Sequence, residues 1–83
     1  MEIVAFRKVD AGKIKAKVDV KTSEGFIIKG FKVIEGDNGL FVGMPSERTR
    51  TGKYIDLVSL SDFNLKELLE SQIIDYYLQK SRK

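Results

Sequence analysis

Polar and apolar positions alternate along the first sixty residues and then switch to a helical period. Ile14, Ala16, Val18 and Val20 interleave with Lys13, Lys15, Lys17, Asp19 and Lys21, the two-residue period of a half-buried strand. Turn signals at Asp10-Ala11-Gly12, Ser23-Glu24-Gly25, Asp37-Asn38-Gly39 and Thr51-Gly52 separate such runs. Five strands are predicted, over 2–9, 13–21, 26–34, 40–44 and 54–60, and the short connections order them as an antiparallel meander. Asn38-Gly39 predicts a two-residue hairpin turn with positive φ at both central positions. In the third run, parity changes between Phe26, Ile28 and Phe31, Val33, which predicts a bulge or bend at Gly30.

From Ser61 onward the apolar positions Leu65, Leu68, Leu69, Ile73, Tyr76 and Tyr77 recur at spacings of three and four. A helix is predicted over 64–80, with Asn64 and Glu67 as a capping box and Asp62 favourably placed at its positive end. Ile74 and Leu78 lie off the main stripe. They read as a dimer contact or, more plainly, as a wide apolar helix face over a thin core. The expected fold is α+β: a five-stranded antiparallel meander sheet with a C-terminal helix packed on one face, in a single domain spanning 1–83. Phe26, Phe31, Phe41 and Phe63 sit in apolar runs and are expected in the core.

Composition narrows the chemistry. The 83-residue chain has no cysteine, so neither a disulfide nor a thiolate metal site can staple it. It has no histidine either, so the usual nucleophile–base pairs are missing and no catalytic residue is expected. Glu35 and Asp37 form the closest carboxylate pair, but they flank a turn whose geometry accounts for them. Gly36-Asp37-Asn38-Gly39 resembles part of a calcium loop but lacks the later glutamate ligand. No cofactor, metal or small-molecule substrate is expected. No run of eighteen apolar residues is present and the N-terminus does not read as a secretion signal, so a cytoplasmic protein without a membrane partner is expected, with association with the nucleoid open.

The formal charge is +3, and its distribution is uneven. Residues 1 to 34 hold eight basic and four acidic side chains, residues 35 to 83 seven and eight. The lysines of the 13–21 run would line one strand face over roughly 27 Å. That ladder could track a phosphate backbone, or it could guard an edge strand against aggregation. A second cluster, Arg48, Arg50 and Lys53, has only Glu47 against it. Guanidinium groups on a hairpin can fork onto phosphate oxygens, and Ser46, Thr49 and Thr51 add hydroxyls. The plain alternative is a polar loop in which Glu47 pairs with a neighbouring cation. Tyr54, beside the cluster, is the aromatic side chain placed to stack on an unpaired base. On the helix, Lys66 pairs in spacing with Glu70, and Lys80, Arg82 and Lys83 form a cationic end that either frays or grips phosphate.

The segment Gly36-Asp37-Asn38-Gly39-Leu40-Phe41-Val42-Gly43-Met44-Pro45-Ser46, then a basic loop, Gly52 and Tyr54-Ile55-Asp56-Leu57, resembles the SpoVG family (stage V sporulation protein G, or septation protein). Departures from the family pattern are Gly43 for alanine, Glu47 for lysine, Arg50 for proline, Ser59-Leu60 for His-Pro, and Asp62-Phe63-Asn64-Leu65 for a glycine-containing segment. The resemblance implies a small homodimeric bacterial regulator that binds DNA, and in some members RNA, with links to septation and sporulation. It also implies that the basic loop and the C-terminal helix carry the contacts, which makes Arg48, Arg50, Lys53, Lys66, Lys80 and Arg82 the candidate nucleic-acid-binding residues. An alternative from another class stays open: a protein–protein interaction module of the division machinery, in which the same cations serve solubility.

Overall fold

A computed structural model describes residues 1–81. Six strands and one helix follow in chain order: β1 (Glu2–Ala11), β2 (Ile14–Lys21), β3 (Ile27–Gly36), β4 (Gly39–Gly43), β5 (Ser46–Arg48), β6 (Tyr54–Asp56) and α1 (Phe63–Ser81). The first four form an antiparallel meander in the order β1-β2-β3-β4, while β5 and β6 pair only with each other. The fold is α+β, as expected, but the five-stranded sheet is corrected to four strands plus a separate two-stranded ribbon. Pro45 explains the break. It has no N–H to offer a ladder, it is buried, and it turns the chain out of the sheet straight after β4. The Leu57 N–H donates to the Pro45 carbonyl at 2.7 Å, closing the base of the ribbon. The expected fifth strand shrinks to three residues, and the short strand opposite it, Ser46–Arg48, has no apolar alternation by which to be found.

Alternation in β2 sets the layers. Ala16, Val18 and Val20 are fully buried and meet Phe31, Val33 and Val42 from β3 and β4. Leu69 and Ile73 of α1 close the core from one side, each with 1% or less of its surface exposed. Full burial of one such side chain contributes about 1.5–3 kcal/mol. Toward the helix C-terminus, Phe6 of β1 stacks against Tyr76 at 5.2 Å and Tyr77 at 6.4 Å between ring centroids. Ile74 is half-buried against this core, while Leu78 remains exposed. Leu68, read from its spacing as part of the buried stripe, is 62% exposed. Of the four phenylalanines expected inside, only Phe31 is buried; Phe26, Phe41 and Phe63 are exposed.

Three local predictions meet different fates. Gly30 does sit at a bulge: the register with β2 shifts between Val18/Phe31 and Val20/Ile28, and its φ is 98°. Its N–H donates to Asp19 Oδ1 at 3.3 Å, and Pro45 packs beside it, 3.7 Å from where a Cβ would stand. The β3–β4 turn differs from expectation. Asp37 and Asn38 occupy the corner with negative φ, and Gly39 alone takes the positive value, 116°, as the first residue of β4. The helix cap also moves. Asp62 Oδ1 accepts from the N–H groups of Asn64 (2.9 Å) and Leu65 (3.2 Å), so Asp62, not Asn64, is the N-cap.

Replacing Asp62 by Ala is expected to cost about 1 kcal/mol in urea-melt stability, with Asn64→Ala near neutral. The reverse order would place the cap at Asn64.

Candidate nucleic-acid interface

The ribbon presents the basic cluster. Its register pairs Ser46 with Asp56, Glu47 with Ile55 and Arg48 with Tyr54. Cross-strand partners share a face and successive residues alternate, so Ser46, Arg48, Tyr54 and Asp56 lie on one side of the ribbon, Glu47 and Ile55 on the other. Glu47 therefore faces away from Arg48. Among the described residues the sole ion pair within 4 Å is Lys15–Glu35 at 3.5 Å, on β2 and β3, so Arg48, Arg50 and Lys53 are free of carboxylate partners.

The loop between β5 and β6 is a closed turn. The Thr49 N–H donates to the Lys53 carbonyl at 2.7 Å, and the Gly52 N–H donates to the Thr49 carbonyl at 3.0 Å. The Lys53 N–H donates to Thr49 Oγ1 at 3.2 Å, and that hydroxyl also bonds the Thr51 hydroxyl at 3.0 Å. The threonines thus build the turn rather than stand free for phosphate. Ser46 is likewise engaged, since its Oγ accepts from Lys32 Nζ at 3.3 Å. The Arg48 guanidinium lies over Gly52, 3.5 Å from where a Cβ would stand. Arg50 and Lys53 are exposed at and beside the tip, and Tyr54, 71% exposed, stands next to Arg48. A strand tyrosine is more often buried, and its exposure here leaves a ring face open beside three cations.

The helix residues form no single group with the ribbon. Lys66 is exposed in the first turns of α1 and Lys80 in its last turn, separated by about 21 Å along the axis at 1.5 Å per residue. Lys80 Nζ lies 5.4 Å from the Tyr76 ring centroid, a cation–π contact that holds it over the β1 side of the sheet. Arg82 lies outside the described residues.

The lysine ladder of β2 occupies a different setting from an edge guard. β2 is an inner strand, flanked by β1 and β3, so protection of an edge is not its role. Arg7 pairs with Lys17 and Lys17 with Lys32, placing three cations side by side on the sheet face away from α1. The sequence hid this row, because its members lie on three strands and only the register aligns them. No helix of the described residues is long and apolar enough to cross a membrane.

Comparison with known proteins agrees with the sequence resemblance. The SpoVG family model matches residues 1–79. Relatives that carry septation-protein SpoVG names occur in Clostridium perfringens (strain SM101 / Type A), 41% identical over 75 residues covering 89% of this chain and 83% of that protein, and in Clostridium novyi (strain NT), 40% identical over 89% of this chain and 75% of that protein. A further one, from Desulforudis audaxviator (strain MP104C), is 37% identical over 89% of this chain and 85% of its own length. With its strand–proline–ribbon segment in place and the family model matched almost end to end, the chain belongs to the SpoVG family.

Proposed function

We propose that this protein is a homodimeric, non-enzymatic regulator that binds DNA or RNA through the β5–β6 ribbon, in the cytoplasm and in processes tied to septation or sporulation. The observation that carries the reading is the ribbon itself: Arg48, Arg50 and Lys53 are exposed, without a carboxylate partner among the described residues, beside an open tyrosine ring. Cations so placed can replace condensed counterions on a phosphate backbone, and the ring can stack on an unpaired base. Lys66, and Lys80 at the far end of α1, would act as separate outlying contacts.

Affinity for a short oligonucleotide should fall steeply with salt. In the double variant Arg48→Ala with Arg50→Ala, the slope of log K against log salt should flatten by about two units. Unchanged affinity and slope would take the ribbon out of the interface. Glu47→Gln should raise affinity by less than about threefold at physiological ionic strength, because Glu47 faces away from Arg48 and the Debye length is about 8 Å. A larger gain would show that the carboxylate opposes the ribbon's hold on phosphate.

The dimer rests on exposed apolar surface along the chain from β6 into α1, where Ile55, Leu57, Phe63 and Leu68 are uncovered. A small domain with so thin a core gains stability by burying such residues against a second copy. Light scattering should give twice the chain mass, and Leu68→Glu should shift it toward the monomer; a monomeric wild type would overturn the dimer. The same surface favours a second reading, a protein-interaction module of the septation machinery. Absence of binding to any oligonucleotide at low salt would select it.

A further inference from the structure

The face of the four-stranded sheet turned away from α1 has no covering element among the described residues. Its central row is Arg7, Lys17 and Lys32, three adjacent register partners on β1, β2 and β3. Strand spacings of about 4.8 Å place the ends of the row about 10 Å apart. None of the three is within ion-pair distance of a carboxylate among the described residues. Asp19, on the same face, spends one oxygen on the Gly30 N–H.

Beside the cations lies an apolar row, Ile14, Ile34 and Phe41, again successive register partners. The Phe41 ring packs edge-on above Gly36, where a Cβ would stand 2.9 Å from it, and 45% of the residue remains exposed. Ile34 lies over Gly43, its Cδ1 2.8 Å from where a Cβ would stand. The face thus offers a flat aromatic surface next to a line of unpaired cations. The Lys32 Nζ contact to Ser46 joins it to the ribbon side that carries Arg48.

We infer that this sheet face is a second nucleic-acid contact surface, on which a single strand lays its phosphates along Arg7, Lys17 and Lys32 and stacks a base on Phe41, continuing past Ser46 to Arg48. The inference rests on the nucleic-acid reading above and extends it from the ribbon to the sheet. Charge selects the occupant. A second copy packed face to face about a two-fold axis would bring this cationic row against itself, whereas a polyanion neutralises it. A single strand fits better than a duplex, because only unstacked bases can use the Phe41 ring.

The test compares oligonucleotide binding of the full chain with that of three face variants and the ribbon variant, each checked by thermal melting. Lys17→Gln with Lys32→Gln should lower the single-strand salt slope by about 1.4. Phe41→Leu, which keeps an apolar group over Gly36, should weaken single-strand binding about tenfold and leave the slope unchanged. Arg7→Gln, on the exposed edge strand, repeats the charge test where folding is least affected, with a slope loss of about 0.7. Wild-type binding in all three face variants, alongside loss in the Arg48/Arg50 variant, would overturn the sheet surface while leaving the ribbon intact. Losses confined to duplex DNA would overturn the single-strand assignment. Failure of the wild-type protein to bind any oligonucleotide would overturn both readings together.

Discussion

One contact organises the molecule: Leu69 and Ile73 of α1 seated on Val18, Phe31, Val33 and Val42 of the sheet. With a single helix available, only one face of a four-stranded sheet can be shielded from water. Ala16, Val18, Val20, Phe31, Val33 and Val42 are drawn to that face, and the lysines that alternate with them on β2 and β3 are turned to the other. The position of the positive charge is therefore a by-product of core formation. Lys17 faces outward because Ala16 and Val18 face in, and Arg7 and Lys32 follow because the register ties them to it.

The second constraint is Pro45. Buried against Gly30 and unable to donate a backbone hydrogen bond, it ends the meander and sends the chain into a ribbon with its own ladder. The bulge at Gly30 and the bend at Pro45 are thus two halves of one joint. The glycine takes the positive φ of the bulge, Asp19 satisfies its N–H, and the proline packs beside it. Lys32 then bridges sheet and ribbon through Ser46, so two positively charged surfaces that are distant in sequence meet at this joint.

Much of the fold was legible in the pattern of residues. The period-two runs placed β1 to β4, the change of parity placed the bulge, and the shift to a three–four period placed α1 within a residue. What escaped had physical reasons. A three-residue strand such as Ser46–Arg48 is too short to show alternation, so the ribbon read as a loop. Helical spacing identified Leu68 as apolar but could not say that the sheet is too narrow to reach it. Phe26 falls in the turn before β3 and Phe63 at the first position of α1, where apolar runs extend past the packed layer. Of the site, the cluster at Arg48, Arg50 and Lys53 was visible as charge, and the side of the ribbon taken by Glu47 was not. The row across three strands was invisible, since only cross-strand register assembles it.

The ribbon's bonding has a consequence for how such a protein can change over generations. Its turn closes through backbone groups and two threonine hydroxyls, and its base is fixed by Pro45 and Leu57, so the side chains of Glu47, Arg48 and Arg50 take no part in the hydrogen bonds that close it. Two of the departures from the family pattern, Glu47 and Arg50, fall on this stretch. Substitutions at the ribbon tip therefore alter its charge without removing a hydrogen bond of the turn, whereas substitutions beneath it act directly on the packed sheet and helix.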